Sequence, residues 1–312
     1  MARSSLAVLD DLIESFDLHL DSRNLSARTR RAYNLACRRF RDHLLAGDGV
    51  PPLADITTDH VHQFVVAVRE QTSAITARTY FLGLQQFFRW LSDHTGNGAG
   101  ELTRNPMAGM RQPKVEERQI QPLAQEEIKA LIDVCAGSRL VDRRDRAMLA
   151  VFIDTGIRLN EMAQMRRDGL NKAKRVFTVM GKGRKERSLH LNKGAVLAID
   201  AYLRARNRVD RYDDEPMLWV GLKGPLTGSG IYQVLRRRAR AAGMADLPHP
   251  HQLRHTSFTR FLDRGGSVED LANMGGWTDK TKHQMAGRYT SYTATQRAHA
   301  AHEEYSPLDG LL

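Results

Sequence analysis

Cysteine is nearly absent: 312 residues include two, Cys37 and Cys135, far apart and neither in a Cys-x-x-Cys pair. That count and spacing exclude a disulfide framework and a zinc ribbon, and small buried apolar positions are expected for both thiols. Long hydrophobic runs are missing as well. No stretch approaches the roughly eighteen uninterrupted apolar residues of a membrane span. The opening Met-Ala-Arg-Ser-Ser, soon followed by Asp10 and Asp11, holds no signal-peptide core. A cytoplasmic protein without a membrane partner is expected.

Against these absences stands a large excess of basic charge. Forty-seven Lys and Arg face thirty-six Asp and Glu, a formal charge of +11 with a pI near 9.9, which points to a polyanionic partner. The excess is uneven: residues 1–113 hold 13 basic against 12 acidic side chains, leaving 34 against 24 for residues 114–312. Within the near-neutral first part, Arg28, Arg30, Arg31, Arg38, Arg39 and Arg41 fall in one fourteen-residue stretch, after acids at Asp10, Asp11, Glu14, Asp17 and Asp21. Such local charge suits a DNA-facing helix, and equally a solvated one.

Hydrophobic content of 41% and a length of 312 residues suit two globular domains. The first reads as helices. Leu12, Ile13, Phe16 and Leu20 recur at helical spacing. Ser26 then caps a second helix with Tyr33, Cys37, Phe40 and Leu44 inward, ending near Gly47. A third is expected from Thr58 to about Arg69 and a fourth from Ser73, carrying Tyr80, Leu84, Phe87, Phe88 and Leu91. Helices two and four open alike, as Ser26-x-x-Thr29 and Ser73-x-x-Thr76. Residues 105–121, with two prolines and no sustained periodicity, read as a linker, which puts the domain boundary near Lys114.

Beyond it, helices are expected at Ala124–Cys135 and Asp142–Ile153, the latter stopped by Gly156. Strands at Arg175–Met180 and Glu186–Leu191 flank a basic tip, Gly181-Lys182-Gly183-Arg184. Helices resume at Lys193–Arg208, Gly230–Ala242, His251–Arg264, Val268–Met274 and, after a polar loop, Ala294–Glu304. The fold class is mainly α with a small β-sheet: a helical domain followed by a mixed α/β one.

One ordered set of side chains carries chemistry. Arg158 lies in Thr-Gly-Ile-Arg-Leu-Asn-Glu, where Glu161 shares its helix face, either as a surface ion pair or to aim the guanidinium at phosphate oxygens. Lys182 sits between two glycines at the hairpin tip, with Arg184, Lys185 and Arg187 as neighbouring candidates. His251 and Arg254, in His-Gln-Leu-Arg-His, pair a group that exchanges protons near neutral pH with a permanent cation. His251 and His255 have the spacing of a zinc pair, but the glutamate of a His-Glu-x-x-His helix is missing. Trp277, after two glycines, is either core or a single hydrogen-bond donor in an apolar wall. Tyr289 is the candidate nucleophile, with Tyr292 three residues on. A phenol with a reference pKa near 10 is ionised about once per thousand molecules at pH 7, so cationic or basic help is required.

Together these motifs resemble the tyrosine recombinase family, also called the phage integrase family. Its pattern runs, in order, Thr-Gly-x-Arg-x-x-Glu, Gly-Lys-Gly-x-Lys-x-Arg, His-x-Leu-Arg-His, a Leu-Gly-His or Gly-Trp step and a late tyrosine. The helices of residues 1–113 resemble the family's core-binding domain, so the resemblance covers nearly the whole chain. It departs from the pattern after Trp277, where eleven residues precede Tyr289, about three more than usual, read here as a longer loop. The family's arm-binding domain is expected to be absent, as in the simple Xer-like recombinases and shorter integrases.

The resemblance implies a core-binding domain over 1–113 and a catalytic domain over 114–312, the latter with a tail at 293–312 that docks on a neighbouring protomer through Leu308, Leu311 and Leu312. It implies a site-specific recombinase or integrase of a mobile element or chromosome, acting on double-stranded DNA as a tetramer, with no cofactor or metal and with accessory DNA-bending proteins as further partners. Tyr289 attacks the scissile phosphate to give a 3′-phosphotyrosyl link. Arg158 and Arg254 hold the non-bridging oxygens, His251 assists proton movement, Lys182 protonates the leaving 5′-oxygen, Trp277 fills the position of His or Trp in relatives and Glu161 supports the site. Arg28, Arg30, Arg31, Arg78, Arg184 and Lys185 are expected to contact DNA. Two alternatives are a type IB topoisomerase-like relaxing enzyme and a DNA-binding regulator on the same scaffold.

Overall fold

The computed structural model describes residues 4–115, 120–180, 186–246, 248–279, 281–290, 298 and 302. The chain divides into two compact units, residues 1–118 and 119–312. Among the described residues no helix is long and apolar enough to cross a membrane.

Among its described residues the first unit holds four α-helices: α1 (Ser5–Ser22), α2 (Ala27–Ala46), α3 (Thr58–Gln71) and α4 (Ala74–Leu91). The matching openings of α2 and α4 are matching caps. Ser26 Oγ accepts the Thr29 N–H at 3.2 Å, and Ser73 Oγ accepts the Thr76 N–H at 3.2 Å, satisfying a backbone donor that the helix itself leaves unpaired. Leu9, Ile13 and Phe16 of α1, Cys37 and Phe40 of α2, Phe64 of α3 and Phe81, Leu84, Phe87 and Phe88 of α4 share one core. Burial pushes the Cys37 thiol far up, so it behaves as a small apolar residue.

The basic stretch on α2 is sorted by α1. Arg30 donates to Asp17 at 2.9 and 3.0 Å and also to Asp21, while Arg41 pairs with Asp10 and Asp42. The acids noted upstream therefore neutralise two of the six arginines. Arg28, Arg31, Arg38 and Arg39 remain exposed, as does Arg78 on α4.

The second unit begins with α5 (Gln125–Asp133), α6 (Leu140–Thr155) and α7 (Leu159–Ala163), followed by an antiparallel sheet of β1 (Leu170–Asn171), β2 (Val176–Met180) and β3 (Glu186–His190) in the order β1-β2-β3. Phe177 stands opposite Leu189, both buried. Then come α8 (Lys193–Arg206), the small hairpin of β4 (Val220–Gly221) and β5 (Gly224–Pro225), α9 (Gly228–Ala241), α10 (Pro250–Asp263), α11 (Val268–Gly275) and α12 (Lys282–Thr290). Met148, Val151 and Phe152 of α6 pack with Ile199 and Tyr202 of α8, with Leu235 of α9 and with the inner face of the sheet.

One expectation needs correction. Between Trp277 and Tyr289 the polar segment is not all loop: Lys282–Thr290 forms α12, whose Ala286 and Tyr289, three apart, are buried. One turn of spacing suffices to seat a helix that leaves positions 283, 284 and 287 exposed. The hairpin tip at 181–185 lies outside the described residues. So does the expected helix Ala294–Glu304 apart from residues 298 and 302, and with it nearly all of the 293–312 tail.

Candidate active site

Five of the chemistry-bearing residues come together where α6, α7, α10, α11 and α12 meet. The α6 helix ends at Gly156 in a left-handed conformation, φ +57°. A Cβ there would stand 2.4 Å from the Phe258 ring, so only glycine lets the chain turn this close to α10. The turn delivers Arg158 as the residue that starts α7. Glu161 closes the turn from inside: its Oε2 accepts the Arg158 backbone N–H at 3.0 Å, and its Oε1 accepts Arg158 Nη1 at 2.9 Å. Glu161 is buried while the Arg158 side chain is 42% exposed, so the guanidinium is anchored at one edge and open at the other. Burial works to raise the Glu161 pKa. The charges and hydrogen bonds of Arg187 and Arg158 more than offset that and hold the carboxyl below its usual value.

Arg254 rises from the first turns of α10 and is 3% exposed. No carboxylate bonds it among the described residues. Its Nη1 donates to the Gly156 carbonyl at 2.6 Å, its Nη2 to the Gly275 carbonyl at 3.2 Å, and its guanidinium lies 4.3 Å from the Phe258 ring centroid. Burial pushes its pKa down to about 10, helped by the neighbouring Arg158 charge and opposed by Tyr289 and Glu161. It stays charged at neutral pH, and with the Arg158 charge near enough to act on it the two cations make an anion site.

Tyr289 is 1% exposed and sits in a small aromatic cluster. Its ring stacks on Trp277 (centroids 5.7 Å, 11°), meets Phe258 edge-on at 5.2 Å and lies 5.1 Å from His255. Its hydroxyl acts on Arg254. The Trp277 indole N–H is buried without a hydrogen-bond partner among the described residues, a donor set in an apolar wall. His251 is exposed on the first turn of α10, three residues before Arg254.

Lys182, Arg184, Lys185 and Tyr292 lie outside the described residues. Sequence reasoning left three contributors unassigned. Arg187 on β3 donates to Glu161 at 2.7 Å and to the Met274 carbonyl. His255 and Phe258 flank the tyrosine, and their spacing from Arg254, one and four residues along α10, was the signal available. Among the described residues no group of three or more His, Cys, Asp or Glu is placed to hold a metal ion.

Residues 121–296 match the phage integrase family, and residues 12–96 match the phage integrase N-terminal SAM-like domain. The chain belongs to the phage integrase family. Tyrosine recombinase XerD of Listeria monocytogenes serotype 4b (strain F2365) is 27% identical over 91% of this chain and 95% of its own length. In fold, the chain resembles XerH site-specific recombinase bound to palindromic difH substrate in a post-cleavage complex, with a TM-score of 0.69 at 18% identity, covering 96% of this chain and 85% of that one. It also resembles a lambda integrase tetramer bound to a Holliday junction, with a TM-score of 0.65 at 19% identity, covering 85% and 76%. As a family member, this chain is a site-specific tyrosine recombinase.

Proposed function

We propose that the protein cleaves and rejoins double-stranded DNA through Tyr289, and the observation that carries this is the convergence of Arg158, Arg254, Trp277 and Tyr289 within one chain on one anion site. The phenolic oxygen forms a bond to phosphorus as the bond from phosphorus to the 5′-oxygen breaks. The leaving oxygen takes a proton, and the phenol gives one up. Arg158 and Arg254 hold the non-bridging oxygens, where charge grows in the transition state, and the Trp277 N–H is a third donor. His251 assists the phenolic proton, and Lys182 supplies the proton to the 5′-oxygen. The 3′-phosphotyrosyl link keeps the energy of the broken bond, so rejoining consumes no ATP.

The lambda integrase and XerH structures are of DNA complexes, one of them a tetramer on a four-way junction, which supports DNA and further copies of this chain as partners. The core-binding role of residues 1–113 and the catalytic role of residues 114–312, with the tail serving assembly, follow the same reading. In the first unit Arg28, Arg31 and Arg78 are better DNA contacts than Arg30, whose guanidinium is already held by Asp17 and Asp21. Arg184 and Lys185 are proposed to reach the backbone with Lys182. The cytoplasm is the compartment such a substrate implies.

The test is a pool of nicked duplexes with a randomised core, in which the nick lets the short 5′-hydroxyl fragment diffuse away and traps the covalent complex. Protein-linked DNA is recovered, its sequence read to find the site, and the modified residue mapped by mass spectrometry. Nucleotide on Tyr289 is expected. Nucleotide on Tyr292 would reassign the nucleophile, and no adduct from the pool would end the proposal.

Binding to the recovered duplex should depend steeply on salt. With six to ten phosphate contacts, affinity is expected to drop about 10³- to 10⁵-fold between about 50 and 200 mM salt. A slope of log K against log salt shallower than about −3 would contradict a basic surface tracking the backbone.

A further inference from the structure

We infer that Arg187 is a positioning residue for the cleavage reaction, holding Glu161 so that the open edge of Arg158 stays turned to the phosphate. This rests on the reading of Arg158 as a phosphate holder. Side chains on a strand alternate faces, and on β3 residues 186, 188 and 190 face solvent whereas Arg187 and Leu189 face inward. Arg187 is thus a cation aimed into the protein, 14% exposed, and a cation so placed needs fixed partners. It has two on different segments: Nη2 donates to Glu161 Oε2 at 2.7 Å, and Nη1 donates to the Met274 carbonyl at the end of α11. Its stem lies along Gly276, where φ is +61° and a Cβ would stand 3.2 Å from Arg187 Cδ. One side chain therefore joins the sheet, the Arg158–Glu161 pair and the turn that presents the Gly275 carbonyl to Arg254 and Trp277 to Tyr289.

Glu161 divides its two oxygens. Oε1 takes Arg158 Nη1, and Oε2 takes the Arg158 backbone N–H together with Arg187. With Oε2 pinned by Arg187, the carboxylate bonds the Arg158 guanidinium through one oxygen only. Released, it can swing to a two-pronged grip on that guanidinium, the geometry arginine and carboxylate favour. Such a grip competes with the phosphate for the same N–H groups.

The full-length chain and the duplex recovered from the nicked pool provide the test, with single-turnover cleavage and equilibrium binding measured separately. In Arg187→Met the cleavage rate is expected to fall about 10²-fold while affinity for the uncleaved duplex changes less than about 3-fold. Arg187→Lys, which keeps a charge beside Glu161 but cannot span to Met274, should recover about 10-fold of that loss and guards against a Met variant that fails to fold. Adding Glu161→Gln to Arg187→Met should cost less than the product of the two single effects, because a neutral amide grips Arg158 weakly. The inference is overturned by a rate within about 2-fold of wild type, by strictly multiplicative effects, or by rate losses that track the folded fraction. Arg158→Ala separates the two readings. If it cleaves normally the phosphate-holder reading itself has failed, whereas if it is dead while Arg187→Met is active only this inference has.

Discussion

Arg254→Met is expected to slow covalent-complex formation by about 10³-fold while leaving the stability of the folded protein little changed. The rate loss follows from what the guanidinium does: two donors and a full charge fixed in a water-poor site act on developing oxyanion charge without reorganising, and a single such donor is typically worth about 10²- to 10³-fold. The stability side follows from how it is held. Arg254 is buried beside the Arg158 charge and is bonded by carbonyls rather than by a carboxylate, and its pKa is pushed down to about 10. For a base, a folded-state pKa below the unfolded one means that the charged form favours the unfolded chain. The penalty applies at every pH below about 10 and fades only as pH rises through that value. Methionine of similar reach removes the penalty and keeps the packing on Phe258, and replacing a buried charge by an apolar chain is often neutral or stabilising by about 1–4 kcal/mol. The cost is two carbonyls, Gly156 and Gly275, left without their donor, about 1–3 kcal/mol each at most. These terms nearly cancel. Urea unfolding of the two proteins measures the balance, and a loss beyond about 3 kcal/mol would make Arg254 a structural support first and a phosphate ligand second.

Local features made most of the fold legible in the sequence. The Ser26–Thr29 and Ser73–Thr76 caps, the Gly156 stop and the 3.6-residue stripes of α1 to α4 act within a turn or two of themselves, and the boundaries expected for α2, for α3, for the start of α4 and for the end of α6 lie within two residues of the observed ones. Features settled at long range were not legible. The α12 helix rests on two buried positions in a polar stretch, and β4 and β5 are two residues each, too short for any periodicity. The motif residues could be named because they lie in order along the chain. Which of the basic residues around the hairpin would turn inward to Glu161, 26 residues away, depends on the pairing register of β2 and β3. The acids before the α2 arginines likewise looked like composition until Asp17 and Asp21 closed on Arg30. A charge reads as solvated in a sequence whatever its partner, because the partner is chosen by tertiary contact.

That blindness shows again at Asp145, where a large loss of stability is expected. Asp145 is fully buried in α6 and accepts from three arginines: Arg144 at 2.6 and 2.8 Å, Arg238 at 2.8 Å and Arg237 at 3.1 Å. Arg238 extends to Asp142 at 2.8 Å and to the Val134 carbonyl, and Arg144 to the Val220 carbonyl, so the cluster ties α6 to α9, to the end of α5 and to β4. Asp145→Ala leaves Arg144 and Arg238 as buried cations with half their counter-charge gone. Breaking a buried pair from one side costs about 3–5 kcal/mol, a large share of the roughly 5–15 kcal/mol that holds a domain folded. Arg237→Ala, at a side chain 60% exposed, should cost less than about 1 kcal/mol. Acid should reach the same cluster through Asp142, whose bonds from Arg139 and Arg238 outweigh its burial and hold its carboxyl down to about 2 from 3.8. A depressed carboxylate stabilises the fold above the unfolded pKa and loses that contribution as pH falls through the folded one. The window is thus about pH 4 to 2, and stability measured against pH should drop there in wild type and less in Asp142→Asn. Because the cluster stands apart from the reacting groups, Asp145→Ala that remains folded at low temperature should cleave DNA at a rate near wild type. A cleavage defect of ~10²-fold in that folded protein would instead show that the set of α6, and through Gly156 the seat of Arg254, is part of the chemistry.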